Sequence, residues 1–304
     1  MVRPRDVLAA LTAVAVMAGA APALVSAESP GLDTALIERL TGAKGAYDAK
    51  EGVFKVSVPR SDLSVRVAGV RLIPAMGLTS WAAFQRTGGH VMVMGDMVLL
   101  EDQVTTVMDA ALGSGLEVTA LHNHFLWDEP KVMFMHIGGM GAEAELAAAV
   151  GKVFAAIRDT GAERQRRPVA EIDPARTTLD PKKIGAILHV PVSPAGGVYR
   201  AVVGRTASMG GTNVGNAMGV NTWAAFAGSD DRAVVDGDFA MLEGELQGVL
   251  KALRAGGIDI VAIHQHMAGE TPRIFFLHFW GVGPTEGLAR ALRAALDRTS
   301  AAPG

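Results

Sequence analysis

Apolar and polar positions along this chain fall into a succession of short alternating runs and helical faces, and the succession occurs twice. Residues 32–40 start as a helix, with Asp33 as its N-cap and Leu36, Ile37 and Leu40 spaced along one side. Residues 179–187 repeat it, with Ile184 standing where Ile37 stands. Val53-Phe54-Lys55-Val56 and Val198-Tyr199-Arg200-Ala201 read as short strands, each leading to an arginine, Arg60 and Arg205. Beyond the arginines the copies diverge. Val65-x-Val67-x-Gly69 alternates as a strand, whereas residues 210–216 are Gly/Asn-rich and read as a plain loop.

The register then locks. Trp81-Ala82-Ala83-Phe84 and Trp223-Ala224-Ala225-Phe226 read as core aromatics. Strands Val91-Met92-Val93-Met94 and Ala233-Val234-Val235 run into Gly95-Asp96 and Gly237-Asp238, where a glycine inside a strand predicts a bulge. Val104, Val107, Met108, Ala111 and Leu112 form one helical face, matched by Leu246, Val249, Leu250 and Leu253. Gly113 and Gly115, and Gly256 and Gly257, are the stops. Two histidine-bearing strands and an Ala/Leu-rich helix (residues 142–157 and 285–296) close each copy. The pattern predicts an α+β fold of two tandem homologous domains, residues 28–157 and 179–304, joined by a polar linker at 158–178. Each is a largely antiparallel sheet with helices on one face, and the two repeats are expected to pack on each other.

The histidine strands carry the chemistry. Leu121-His122-Asn123-His124 through His136 and Ile263-His264-Gln265-His266 through His278 have the same form: His, one residue, His, eleven residues, His. Six of the eight histidines lie in these two motifs, 142 residues apart (264 − 122). Side chains alternate along a strand, so His122 and His124 share a face. Turn residues at Trp127-Asp128-Glu129-Pro130 predict a hairpin between residues 118–126 and 131–137. Pairing with a constant sum of 258 (122 + 136) sets His122 against His136 and His124 against Phe134, and brings all three rings to one side. That face starts apolar, with Val118, Ala120 and Phe134, and ends in imidazoles. The other carries Met133, Met135 and Ile137 toward the helices.

Three neutral imidazoles with an open position suit a divalent metal, zinc first among the choices. Asp96 and Asp238, or Glu101 and Glu243, are the carboxylates present in both copies that can act as a fourth ligand or general base. Trp280 stands where Gly138 stands and narrows the second pocket. His90 and His189 have no histidine counterparts and read as surface residues.

Composition removes other classes. The net charge is −3 with no basic block, which gives no footprint for nucleic acid. No cysteine is present, so disulfides, thiolate ligands and a cysteine nucleophile are excluded. Arg3 and Arg5, the apolar residues 7–21 and Val25-Ser26-Ala27 have the order of a secretory signal cleaved near Ala27. The expected mature chain is exported, periplasmic or extracellular, with no transmembrane segment.

Met76-Gly77-Leu78-Thr79-Ser80-Trp81, Gly95-Asp96, His122-Asn123-His124 with Pro130 and His136, and their second-half equivalents resemble the LppY/LpqO-type family of exported bacterial proteins. That resemblance covers roughly residues 30–300 and implies a domain of unknown function in two copies. The histidine spacing alone is also similar to the zinc site of acetolactate decarboxylases. Two readings follow. One is a metal-dependent hydrolase or lyase acting on a small-molecule substrate; the other is a non-catalytic envelope protein that binds metal or a small ligand.

Overall fold

The structure, a computed structural model, describes residues 31–161 and 169–300. The signal expected at residues 1–27 and the middle of the expected linker lie outside the described residues. Twelve strands form the main sheet. In the first half they are β1 (Gly45–Asp48), β2 (Val53–Pro59), β3 (Thr79–Thr87), β4 (His90–Leu100), β5 (Glu117–His122) and β6 (Val132–Gly141). In the second half they are β7 (Val192–Ala195), β8 (Val198–Gly204), β9 (Asn221–Gly228), β10 (Ala233–Leu242), β11 (Asp259–His264) and β12 (Ile274–Gly283). Their order is β1-β2-β3-β4-β6-β5-β11-β12-β10-β9-β8-β7, and every neighbour is antiparallel. The list reads alike from either end, so the two halves meet as a pseudo-dimer across β5 and β11.

The six α-helices of the described residues all lie on one face. They are α1 (Thr34–Thr41), α2 (Val104–Gly113), α3 (Glu143–Gly161), α4 (Pro181–Leu188), α5 (Leu246–Ala255) and α6 (Thr285–Leu296). Their apolar sides share one core with the inward residues of both halves, among them Ile37, Val107, Phe154, Ile184, Leu250 and Leu292. Asp33 and Asp180 accept from the N–H groups of Leu36 and Lys182 at 2.9 Å, and so cap α1 and α4. Gly115 and Gly257 take φ of +84° and +73° after α2 and α5, the left-handed turn that ends a helix at little cost for glycine.

The opposite face of the sheet is covered only in part. Between β2 and β3, the strands Arg66–Val67 and Val70–Arg71 form a ribbon that pairs with Asp128–Glu129. It buries Val65, Leu72 and Leu78 on Val98, Val132 and Phe134. The stretch read as a plain loop in the second half is ordered too. Ala207–Met209 and Thr212–Val214 pair around Gly210 and Gly211, whose φ values of +58° and +79° suit a tight hairpin turn. It buries Ala207, Val214 and Val220 on Ala240, Ile274 and Phe276.

Arg60 and Arg205 anchor these excursions to the ends of β4 and β10. Arg60 is 3% exposed and donates to the carbonyl of Val98 and to Gln103. Arg205 makes a two-armed pair with Glu245 at 2.7 and 3.0 Å, and Glu245 also accepts from Leu242 N–H and Ser300. Burial pushes the Glu245 carboxyl up, but these hydrogen bonds outweigh it and hold the pKa at about 2.

At the seam β5 and β11 pair at Leu121 and Ile263. Val118, three residues earlier, turns its N–H and carbonyl to the Gln247 side chain of α5, at 3.0 and 2.9 Å. Thr105 and Arg254 converge on Asp259, and Arg254 also grips Asp109 with two hydrogen bonds.

Two outcomes test this framework. Gln247→Ala orphans two partly buried backbone groups at the seam and is expected to lower stability by about 1–3 kcal/mol in urea unfolding. Glu245→Gln is expected to melt lower than the wild type at pH 7. Because the folded pKa is depressed, the wild-type advantage holds above pH 4.5 and disappears as pH falls toward 2. Melting curves of the two proteins across that range check it.

Candidate metal centre

The site is built from rows of side chains that cross the sheet on its helix-free face. Trp81 on β3 pairs with Asp96 on β4, Asp96 with His136 on β6, and His136 with Ala120 on β5. One row along, Val98 pairs with Phe134 and Phe134 with His122. The second half repeats both rows: Trp223, Asp238, His278 and Ala262, then Ala240, Phe276 and His264. His124 and His266 lie just past the ends of their strands and stack on Phe134 and Phe276, with ring centroids 3.3 and 3.5 Å apart. Each phenylalanine is thus an apolar floor under two imidazoles.

The pairing differs from the expected register. His122 pairs with Phe134, not with His136, so the sum is 256 and not 258. A slip of two residues preserves the face, and the three rings stay together. Val118, expected beside the histidines, faces the helix core instead. A bulge between Val118 and Ala120, repeated between Ile260 and Ala262, makes that possible. The bulge expected at Gly95 and Gly237 is absent, and pairing runs unbroken through both. Those glycines are needed for space. A Cβ on Gly237 would collide with the Phe279 ring and the Trp223 carbonyl, and one on Gly95 would lie 2.7 Å from the Trp81 carbonyl.

The six histidines therefore form two clusters. Centroid separations are 5.1 Å (His122–His124) and 5.2 Å (His122–His136) in the first, and 5.1 Å (His264–His266) and 4.7 Å (His264–His278) in the second. Asp96 and Asp238 reach the clusters. In the second, Asp238 Oδ2 lies 3.0 Å from His266 Nε2 and Oδ1 lies 3.6 Å from His264 Nε2. Asp238, His264 and His266 form a group able to hold a metal ion. In the first, His136 Nε2 and His122 Nε2 are 3.1 Å apart, one ring donating to the other, and Asp96 Oδ1 lies 4.0 Å from His136 Nε2.

Second contacts orient the rings. His266 Nδ1 donates to the Gly219 carbonyl at 3.3 Å, and His278 Nδ1 to the Gly237 carbonyl at 3.2 Å. A neutral His266 ring in that tautomer aims its Nε2 lone pair at a carboxylate oxygen. Asp238 is 2% exposed and its Oδ1 has no hydrogen-bond partner; Asp96 Oδ1 and His264 Nε2 are in the same position. Two ligand atoms at zinc distances and a tetrahedral angle stand about 3.3 Å apart. The separations of 3.0, 3.1 and 3.6 Å straddle that value. Burial lowers the pKa of His124 and His264; Asp96 and Asp238 pull the other way, and the neighbouring rings add to the lowering. A ring kept neutral keeps its lone pair for a metal.

Glu101 and Glu243 are placed differently. Each is exposed and opens a 3₁₀ turn after β4 or β10, five residues past the aspartate, roughly 16 Å of extended chain. Asp128 and Glu270 accept from the N–H groups of Val132 and Ile274 at 2.7 and 3.1 Å, and so hold the start of each third-histidine strand. His90 and His189 are exposed. Trp280 is 38% exposed, two residues along β12 from His278 and paired with Asp236 and Asp259.

Of the aromatics in the Trp-Ala-Ala-Phe runs, expected in the core, only the phenylalanines lie there. Phe84 and Phe226 are buried in the core, but Trp81 and Trp223 are half-buried on the histidine face. Lys55 Nζ lies 3.9 Å over the Trp81 ring, and the Arg200 guanidinium 4.4 Å over the Trp223 ring. A separation of three on a strand puts Trp and Phe on opposite faces, a signal present in the sequence.

Two solved structures were aligned with the chain. The trimeric bacterial microcompartment shell protein PduB is 12% identical over 83% of this chain and 89% of its own, with a TM-score of 0.18. EtuB from Clostridium kluyveri is 11% identical over 84% and 89%, also at 0.18. At such scores neither bears on fold or function. Among curated proteins none matches the chain. The family model described as Domain of Unknown Function (DUF1259) matches twice, over residues 35–156 and 182–298, the two halves that supply the two histidine clusters. With most of its length so matched, the chain belongs to that family and carries its domain in tandem.

Proposed function

We propose that each repeat holds one divalent transition metal, zinc in the first instance, on three imidazoles and an aspartate. The ligands are His122, His124, His136 and Asp96 in the first and His264, His266, His278 and Asp238 in the second. The observation that carries this reading is the buried Asp238. One of its oxygens faces the lone-pair nitrogen of His266 at 3.0 Å and the other has no partner. A proton can bridge one such pair. A cation in the second site satisfies both Asp238 oxygens and His264 Nε2, and one in the first site takes up the matching orphan on Asp96. The donor set fits: imidazole and carboxylate are ordinary zinc ligands, and the absence of cysteine excludes a thiolate site.

A bound metal would supply Lewis acidity and a water of lowered pKa, the chemistry of a hydrolase or lyase. The chain's residues hold the imidazoles. Phe134 and Phe276 set the planes of His124 and His266, while Gly219 and Gly237 fix two Nδ1–H tautomers. The side chains of His264, His266 and His136 are 28%, 34% and 35% exposed, so a small ligand has access to a coordination position. Glu101 and Glu243, five residues along the chain from the aspartates, take no ligand role in this reading. The aspartates are the fourth ligand or general base. In keeping with the LppY/LpqO-type resemblance, we place the mature chain outside the cytoplasm after cleavage near Ala27. Among the described residues no helix is long and apolar enough to cross a membrane.

After zinc loading and desalting, plasma mass spectrometry is expected to find two ions per chain. His264→Ala is expected to reduce the count to one and leave the circular dichroism unchanged, because the core lies on the other face. Asp238→Asn is expected to weaken the second site roughly 10–100-fold. Protein that retains no metal after reconstitution sinks this reading. Metal retained without any hydrolysis or decarboxylation of small esters and keto acids leaves the non-catalytic metal-binding reading. For export, intact mass of protein recovered from the periplasm or medium is expected to begin at Glu28, and a retained Met1 would contradict cleavage.

A further inference from the structure

Beside each histidine cluster stands a cation over an indole, and the proposed metal sites do not use it. Lys55 on β2 lies over Trp81, and Trp81 is the cross-strand neighbour of Asp96. Arg200 on β8 lies over Trp223, the neighbour of Asp238. The arrangement is present in both halves although lysine has become arginine, while the positions around it differ. Ser57 stands against Val202, Met94 against Asp236 and Gly138 against Trp280. Among the described residues neither Lys55 nor Arg200 forms an ion pair with a carboxylate. Each cation therefore retains donors that no protein anion takes up, and both sit on the open face over the indole that neighbours a cluster's aspartate.

We propose that Lys55 with Trp81, and Arg200 with Trp223, form the anion-binding end of each metal site. The ligand is a small organic anion with a metal-coordinating oxygen at one end and a carboxylate at the other. The proposal rests on the metal reading above. Electrostatics favours such a ligand. A divalent ion on one aspartate and three neutral imidazoles leaves one positive charge; Lys55 adds a second in the first half, whereas in the second half Asp236, in the row of Arg200, offsets the arginine, so the first site is expected to show the larger effect. Geometry sets its length. Two strand spacings separate β2 from β4, and Lys55 and Arg200 stand two residues along from the aspartate's row, so their backbone lies roughly 12 Å from it; the side chain, laid over the indole one strand nearer, shortens that gap. The indole between them is a flat apolar surface for the methylene chain of the ligand. A dicarboxylate of four to six carbons in all spans that gap between metal and cation; acetate reaches only the metal.

The test uses full-length protein loaded with Co(II), whose visible spectrum reports changes at the metal. Titration with succinate, glutarate and adipate is compared with butyrate, valerate and hexanoate, the monocarboxylates of similar length. The best diacid is expected to bind about tenfold tighter than its monoacid. Lys55→Gln combined with Arg200→Gln is expected to erase that difference and leave the Co(II) spectrum and stoichiometry unchanged. Equal affinities for diacids and monoacids, or a preference that survives the double substitution, overturns the proposal while the metal reading stands. Failure to take up Co(II) overturns both.

Discussion

The arrangement depends on a change of parity within one short strand. An antiparallel sheet with helices on one side admits one kind of residue per face, and the assignment alternates without exception until a bulge interrupts it. Strand β5 must send Val118 to the helix core and His122, four residues on, to the open face. Strict alternation puts residues four apart on the same side. The bulge before Ala120 resolves the conflict, because Val118 and Leu121 then both face the core and His122 faces out. β11 does the same with Ile260, Ile263 and His264. Val118, paired with Ile137 on β6, turns its backbone N–H and carbonyl toward the seam, where the Gln247 side chain receives both. One local irregularity thus ties together the core, the histidine cluster and the junction of the halves.

Much of this was legible from residue order. Helix faces, their caps at Asp33 and Asp180, the antiparallel sheet and the tandem organisation follow from apolar spacing and repetition. That the rings share a face follows from parity alone, which survives a two-residue error in register. The location of the bulges was not legible. Gly95 and Gly237 looked like the irregular positions, but their missing Cβ atoms serve close packing against a neighbouring backbone carbonyl and side chains. Thr119 and Val261, at the bulges, are β-branched residues with no irregularity in their sequence. The distinction between Asp96 and Glu101 as partners of the histidines was equally hidden. It depends on which residue of β4 lies opposite His136, a matter of pairing with a strand forty residues away.

The tryptophans show the opposite case, in which local information was present and a compositional habit prevailed. Large aromatics are usually interior, and Phe84 and Phe226 are. Three residues back along an extended chain lies the other face, where Trp81 and Trp223 each carry a cation on the indole. The Gly210-Gly211 pair likewise has the residues of a two-residue hairpin turn, although the composition around it is that of a loop.

The seam has a consequence for assembly. A dimer of identical chains meeting at β5 and β11 would repeat each contact on both sides of a two-fold axis. Here Arg254 grips Asp109, but the positions related to them by the 142-residue shift are Leu112 and Lys251, which cannot form the same pair. Gln247 clasps the Val118 backbone, while its counterpart Thr105 meets the Asp259 side chain. The junction is lopsided, and each half is fitted to the other and not to a copy of itself. Tandem fusion has freed the two halves from the rule that a change on one side of an interface appears on both. An isolated first half offered to another first half would find Asp109 facing Leu112, with no arginine to receive it.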